Sequence, residues 1–237
     1  MPPPRTLLLT RPRPQSEAFA AALEARLPGR FRPVIAPVLA IRPLPAPVDL
    51  AGVAALAFTS ANGVEQFAAR NDDRRLPAFC VGAMTAEAAR RAGFAACAAD
   101  GDVAALAALI ATRLHPGGGA LLHIRGRHAA GDLAARLAAA GISTRAAELY
   151  DQTPCPIDGE ARALLAAGSL DAVAVFSPRS AAAFARQAAA EAWLLASATS
   201  VALSPAAGTP LDALGLARRI VAEHPTRDGM LAALARA

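Results

Sequence analysis

The sequence predicts an α/β protein of two domains with parallel sheets, one domain inserted into the other and the two joined by a two-stranded hinge. Three observations predict it. Short apolar runs alternate with Ala/Leu-rich helical patterns along the chain, the pattern of βαβ units that build parallel sheets. Four of these units recur in permuted order. Two proline-bearing segments lie where the permutation requires the chain to cross between the copies.

In chain order, the apolar runs place strands at 6–10, 32–37, 54–59, 78–82, 120–124, 145–152, 172–176 and 200–204. Helical patterns follow at 15–27, 62–69, 85–92, 102–114, 130–140, 180–196, 206–214 and 227–236. Alanine with scattered leucine is the strongest helix-forming composition, and it dominates these stretches. Asp100-Gly101-Asp102 precedes one of them and reads as an N-terminal cap.

The repeat is visible in matched residues. Ala57-Phe58-Thr59-Ser60 resembles Val175-Phe176-Ser177-Pro178. Phe79-Cys80-Val81-Gly82 resembles Val201-Ala202-Leu203-Ser204, and the helix through Leu106 and Leu109 resembles the one through Leu231 and Leu234. The fourth unit breaks the order. Leu122-His123-Ile124-Arg125-Gly126 closes the middle segment but resembles Leu8-Leu9-Thr10-Arg11-Pro12 at the start of the chain. One domain inserted into its twin explains this circular order. The expected divisions are 1–38 with 154–237, and 44–148, with hinge strands at 39–43 and 149–153. The first crossing carries Pro33, Pro37, Pro43, Pro45 and Pro47; the second carries Tyr150, Pro154 and Pro156. A cleft between two such domains is the default ligand site.

Composition bounds the chemistry. The 237 residues suffice for one large domain or two small ones. With 54% apolar and 18% charged residues the chain can bury a core. All 24 basic residues are Arg, so there is no Lys for a Walker A loop, a Schiff base or the lysine of a two-component receiver domain. The net charge of +5 is spread among acids, and aromatic residues are only 4%. A nucleic-acid surface more often shows a dense basic stripe with stacking aromatics. A small polycarboxylate or phosphate ligand suits the pattern, and a solvated mixed surface explains the charge equally well. Cys80, Cys97 and Cys155 form no CxxC and exclude a disulfide framework or zinc site; Cys80 reads as a small core residue. No signal-peptide pattern or uninterrupted membrane span is present, so the expectation is a cytoplasmic protein; the absence of metal-ligand spacing and of a GxGxxG turn predicts no bound metal, flavin or nicotinamide.

In doubly wound sheets ligands sit at the strand-to-helix turns. Here those turns carry Thr10 and Arg11; Ser60 and Asn62; Gly82 and Thr85; Arg125 and Gly126; Ser177 and Ser180; and Ser204. Ordinary N-capping explains any one of them. Taken together, helix N-termini and exposed N–H groups suit a ligand with many carboxylates. No GxSxG or GxGxxG is present, and His115, His123, His128 and His224 lack a nucleophile partner. His123, between Leu122 and Ile124, reads as structural. Tyr150 is the sole tyrosine. It is either an amphipathic packing residue or a phenol aimed into the cleft.

Taken in order, Leu9-Thr10-Arg11-Pro12, Pro37, Phe58-Thr59-Ser60-x-Asn62-x-Val64, Val81-Gly82-x-x-Thr85-Ala86, Arg125-Gly126, Tyr150-x-x-Thr153, Phe176-Ser177-Pro178 and Pro225-Thr226 resemble the uroporphyrinogen-III synthase family over nearly the whole chain. The resemblance implies two flavodoxin-like or Rossmann-like domains and no cofactor. It implies closure of hydroxymethylbilane, a linear tetrapyrrole with many carboxylates, to uroporphyrinogen III with inversion of ring D. It places Tyr150 as proton donor to the departing hydroxyl and the turn residues above, with Thr226, as substrate contacts. A monomer is implied, in transient contact with the preceding pathway enzyme, with no nucleic-acid or membrane partner. The chain departs from the family at Leu203-Ser204-Pro205-Ala206-Ala207-Gly208, where Ile-Gly-Pro-x-Thr-Ala is usual. The alternative is a two-lobed binding module or regulatory protein for an anionic tetrapyrrole-like ligand, without chemistry.

Overall fold

The computed structural model describes residues 3–99, 102–128 and 131–237. The chain opens with β1 (Arg5–Leu9), α1 (Arg13–Arg26), β2 (Phe31–Ile35) and β3 (Leu39–Pro43). It continues through β4 (Val53–Phe58), α2 (Ala61–Ala68), β5 (Ala78–Cys80), α3 (Ala83–Arg91), β6 (Ala96–Ala98) and α4 (Val103–Ala111). Then come β7 (Ala120–Gly126), α5 (Leu133–Ala138), β8 (Thr144–Pro154), α6 (Gly159–Ala166), β9 (Ala172–Val175) and α7 (Pro178–Ala190). The last elements are β10 (Thr199–Ala202), α8 (Pro205–Gly208), a 3-10 helix (Thr209–Leu214), β11 (Arg218–Val221) and α9 (Arg227–Ala235).

These elements form two compact units, Met1–Ala40 with Thr153–Ala237, and Ile41–Gln152. The first unit holds a five-stranded sheet of order β11-β10-β9-β1-β2. The second holds a six-stranded sheet of order β3-β8-β7-β4-β5-β6. Read from β6, the second sheet runs β6-β5-β4-β7-β8. That is the order of the first sheet with β7 in the place of β1 and β4 in the place of β9. The strands pair in parallel from β11 to β2 and from β8 to β6. The permuted repeat of the sequence is thus a repeat of doubly wound topology.

Alternation along the strands builds a core on each face of each sheet. Leu7 and Leu9 join one cluster with Ala172 and Ala174, while Leu8 joins the other with Val173 and Val175. Leu56 and Phe58 share a face with Leu122 and Ile124; Ala55 and Ala57 share the opposite face with Leu121. Central strands buried on both faces must be apolar throughout, which is why they are legible as short unbroken runs.

Several helix boundaries differ from expectation. The helix expected at 206–214 is one turn of α8 followed by the 3-10 helix. Pro210 has no N–H to continue the α-helical ladder, so the chain tightens. The helix expected at 180–196 ends at Ala190, and Ala192 takes a positive φ of 51°. The stretch expected as 102–114 closes at Ala111, with Asp102 as its cap: its carboxylate accepts from the Ala105 N–H at 2.7 Å. Asp100 and Gly101, and the expected helix start at Ala130, lie outside the described residues. Among the described residues no helix is long and apolar enough to cross a membrane.

Candidate active site

In the first unit the strand order reverses between β1 and β9, the switch point at which doubly wound sheets bind ligands. Thr10, fully buried, donates its hydroxyl to the Ala174 carbonyl at 3.0 Å and pegs the end of β1 to β9. Arg11 follows. Its guanidinium lies 4.6 Å from the centre of the Phe176 ring and donates to Gln15 Oε1 at 2.9 and 3.2 Å. Phe176 in turn stands edge-on to Phe19, with centroids 4.9 Å apart. Arg11 is thereby fixed on an aromatic platform at the carboxyl end of the sheet, a pre-ordered cation suited to a carboxylate.

The hydroxyl residues of the neighbouring turns are caps. Ser177 Oγ accepts from the Ser180 N–H at 3.2 Å and lies 2.9 Å from Ser180 Oγ. Ser204 accepts from the Ala207 N–H at 3.3 Å, and Thr226 from the Gly229 N–H at 3.0 Å. Such caps stabilise a helix by about 1 kcal/mol each; at Ser180 the hydroxyl also donates to the Ser177 carbonyl at 3.1 Å. At 204–208 the turn keeps its cap, although it departs from the family pattern in sequence.

The second unit repeats the plan between β4 and β7. Ser60 caps α2 by accepting from the Asn62 N–H at 3.2 Å, and Asn62 itself is buried. The first turn of α2 presses on β7: a Cβ at Gly63 would lie 3.2 Å from the Ile124 carbonyl oxygen. Gly82 stands at the start of α3 with no side chain to cap it, and Thr85 is buried one turn on. Arg125 pairs with Glu148 across β7 and β8.

Tyr150 is placed by an irregularity in the β7–β8 ladder. Arg125 pairs with Glu148 but Gly126 pairs with Tyr150, so β8 carries one extra residue. Consecutive residues of a regular strand face opposite ways. Because of the bulge, Leu149 and Tyr150 both enter the same apolar cluster. The Tyr150 ring, 4% exposed, lies directly over Gly126. A Cβ there would sit 2.7 Å from Tyr150 Cε2, which is why the position is glycine. Tyr150 is therefore a packed ring, and its burial at the strand end fixes where the phenol oxygen can be.

Sequence reasoning passed over two neighbours. Asp151 accepts from Arg127 Nη1 at 3.0 Å, and its other oxygen lies 3.5 Å from His128 Nε2. Glu148 was not singled out. His123, expected to be structural, is 5% exposed and shares a 3.1 Å hydrogen bond with the Thr59 hydroxyl. Burial first, and then the charge of Arg125, depress its pKa to about 4, so the ring is neutral at physiological pH. Acids at 148 and 151, flanking the apolar pair Leu149-Tyr150, were the available signal. Cys80 is fully buried, and burial pushes its thiol up to about 12, so it sits in the core as a protonated thiol. Among the described residues no group of three or more His, Cys, Asp or Glu side chains could hold a metal ion.

The family model for uroporphyrinogen-III synthase HemD matches residues 17–232. The chain belongs to the uroporphyrinogen-III synthase family. Solved members have the same fold. The uroporphyrinogen-III synthetase of Helicobacter pylori is 16% identical, with 98% of this chain and 100% of that chain covered and a TM-score of 0.62. A mutant uroporphyrinogen III synthase of Thermus thermophilus is 21% identical, with 98% of each chain covered and a TM-score of 0.56. No curated protein sequence matches significantly. For this family member, then, the fold is shared at low identity, and its site has to be read from its own residues.

Proposed function

We propose that this chain acts as a uroporphyrinogen-III synthase, closing hydroxymethylbilane to uroporphyrinogen III with inversion of ring D and loss of water. The observation that carries the reading is the family match over residues 17–232. The seating of the sole tyrosine at the carboxyl end of a doubly wound sheet supports it.

The reaction begins when the ring A hydroxymethyl group loses its hydroxyl. Tyr150 is the donor in this reading. A phenol is protonated at neutral pH and can give its proton to the departing oxygen, which leaves as water. The azafulvene that remains is attacked by the substituted carbon of ring D. A spiro intermediate forms, fragments and recloses, and the proton shed as the last pyrrole regains aromaticity restores the phenol. Arg11 on its Phe176 platform, Arg125 and Gly126 at the end of β7, and the N-terminal turns at Ser60, Asn62, Gly82, Thr85, Ser177, Ser180, Ser204 and Thr226 are the carboxylate contacts. Thr10 acts from within the sheet, by holding the strand end that carries Arg11. Action as a cytoplasmic monomer, with transient contact to the enzyme that supplies the bilane, belongs to the same reading.

The test is turnover. With hydroxymethylbilane in molar excess, product is expected to exceed protein many times over. Stoichiometric retention of the bilane without product would instead support a binding module.

A further inference from the structure

We propose that Asp151 is a positioning residue for Tyr150, locking the phenol ring by tying the turn after β7 to the strand that carries the ring. The proposal rests on the reading of Tyr150 as the proton donor, and it adds a residue that acts through it.

The geometry points to this role. Tyr150 is the last β8 residue in register with β7, opposite Gly126, where β7 ends. Beyond that point the ladder no longer holds the two segments together. Among the described residues one backbone bond remains, from the Arg127 N–H to the Tyr150 carbonyl at 2.9 Å. The Asp151 carboxylate adds a second tie. One oxygen takes the Arg127 guanidinium at 3.0 Å. The other accepts from the Gln152 N–H at 2.7 Å and lies 3.5 Å from His128 Nε2. Its side chain is only 16% exposed although Arg127 and His128 are each 54% exposed. A carboxylate this shielded, anchored by its own backbone, is a fixed post rather than a loose surface partner. Gly126 is the floor beneath the Tyr150 ring, and Arg127 and His128 follow it directly in the chain, so a tie on them restrains the backbone on which the ring lies.

The sole tyrosine makes the proposal measurable, because ¹³C-tyrosine labelling reports one ring. Asp151→Asn keeps an acceptor for the Gln152 N–H but removes the charge that gathers Arg127 and His128. Its Tyr150 ring resonance is expected to shift and broaden toward that of Gly126→Ala, in which the added Cβ must displace the ring. Arg127→Gln, which opens the tie from the other side, is expected to do the same. kcat is expected to fall about tenfold or more, with KM nearly unchanged, as for a misplaced reacting group. In a Tyr150→Phe background Asp151→Asn should cost nothing further, since both act through one hydroxyl. An Asp151→Asn ring resonance identical to wild type overturns the proposal, as does a kcat loss that persists in full without the phenol. Should Tyr150→Phe alone leave the rate intact, the proton-donor reading fails, and the ring resonance still decides whether Asp151 positions the ring.

Discussion

Tyr150→Phe is expected to lower the single-turnover rate of ring closure on the order of 10²-fold while leaving the fold intact. Positioned proton donors contribute about 10²–10⁴-fold in rate, and a water that reaches the departing hydroxyl can replace part of that, so the lower end applies. The ring itself stays. It keeps its place over Gly126 and its contacts in the apolar cluster with Leu149 and Phe58. Loss of one hydroxyl bond costs roughly 1 kcal/mol of stability. The measurement is the single-turnover rate beside the melting temperature. A variant of equal stability and undiminished rate would show that Tyr150 only packs.

A second large effect is on stability below neutral pH. His123 is neutral in the folded protein, with a pKa depressed from 6.5 to about 4 by burial and by Arg125. The unfolded chain takes up a proton at this histidine near pH 6.5 and the folded chain does not. Stability from this group is therefore complete above about pH 6.5 and is lost as the pH falls toward 4. At about 1.4 kcal/mol for each pH unit, the loss is roughly 3 kcal/mol. His123→Asn keeps a hydrogen-bonding partner for Thr59 and cannot take up the proton. It is expected to be less stable than wild type at pH 7 and to close most of that gap by pH 4. Denaturant unfolding of both proteins across this range checks it; a gap that does not change with pH would show that His123 titrates normally.

The α/β class was legible because the central strands are buried on both faces. Leu7-Leu8-Leu9 and Ala172 to Val175 are apolar without a break, and the permuted order of such runs foretold that β7 stands where β1 does. Of the four edge strands, β2 and β3 were placed, at 32–37 and 39–43, and β6 and β11 were not. β6 is three residues, Ala96 to Ala98, and β11 begins with the exposed Arg218 and Arg219. An edge strand lacks the two-sided burial that writes a pattern into sequence. α6 was lost in the segment after Pro154 and Pro156, which reads as a crossing. At the site, residue types were visible but partners were not. Nothing local to Gly126 says that a tyrosine 24 positions later lies on it, because a bulge sets that register. The same holds for the Phe176 platform beneath Arg11 and for the Thr59–His123 bond, each made across strands rather than along the chain.

The most direct test of the central claim is the identity of the product isomer. Hydroxymethylbilane left alone closes without inversion to the type I macrocycle. The purified protein is expected to divert it to type III, in a proportion that rises with protein concentration until type III dominates. A type I product unchanged from the protein-free control, at protein concentrations that bind the bilane, would contradict the account.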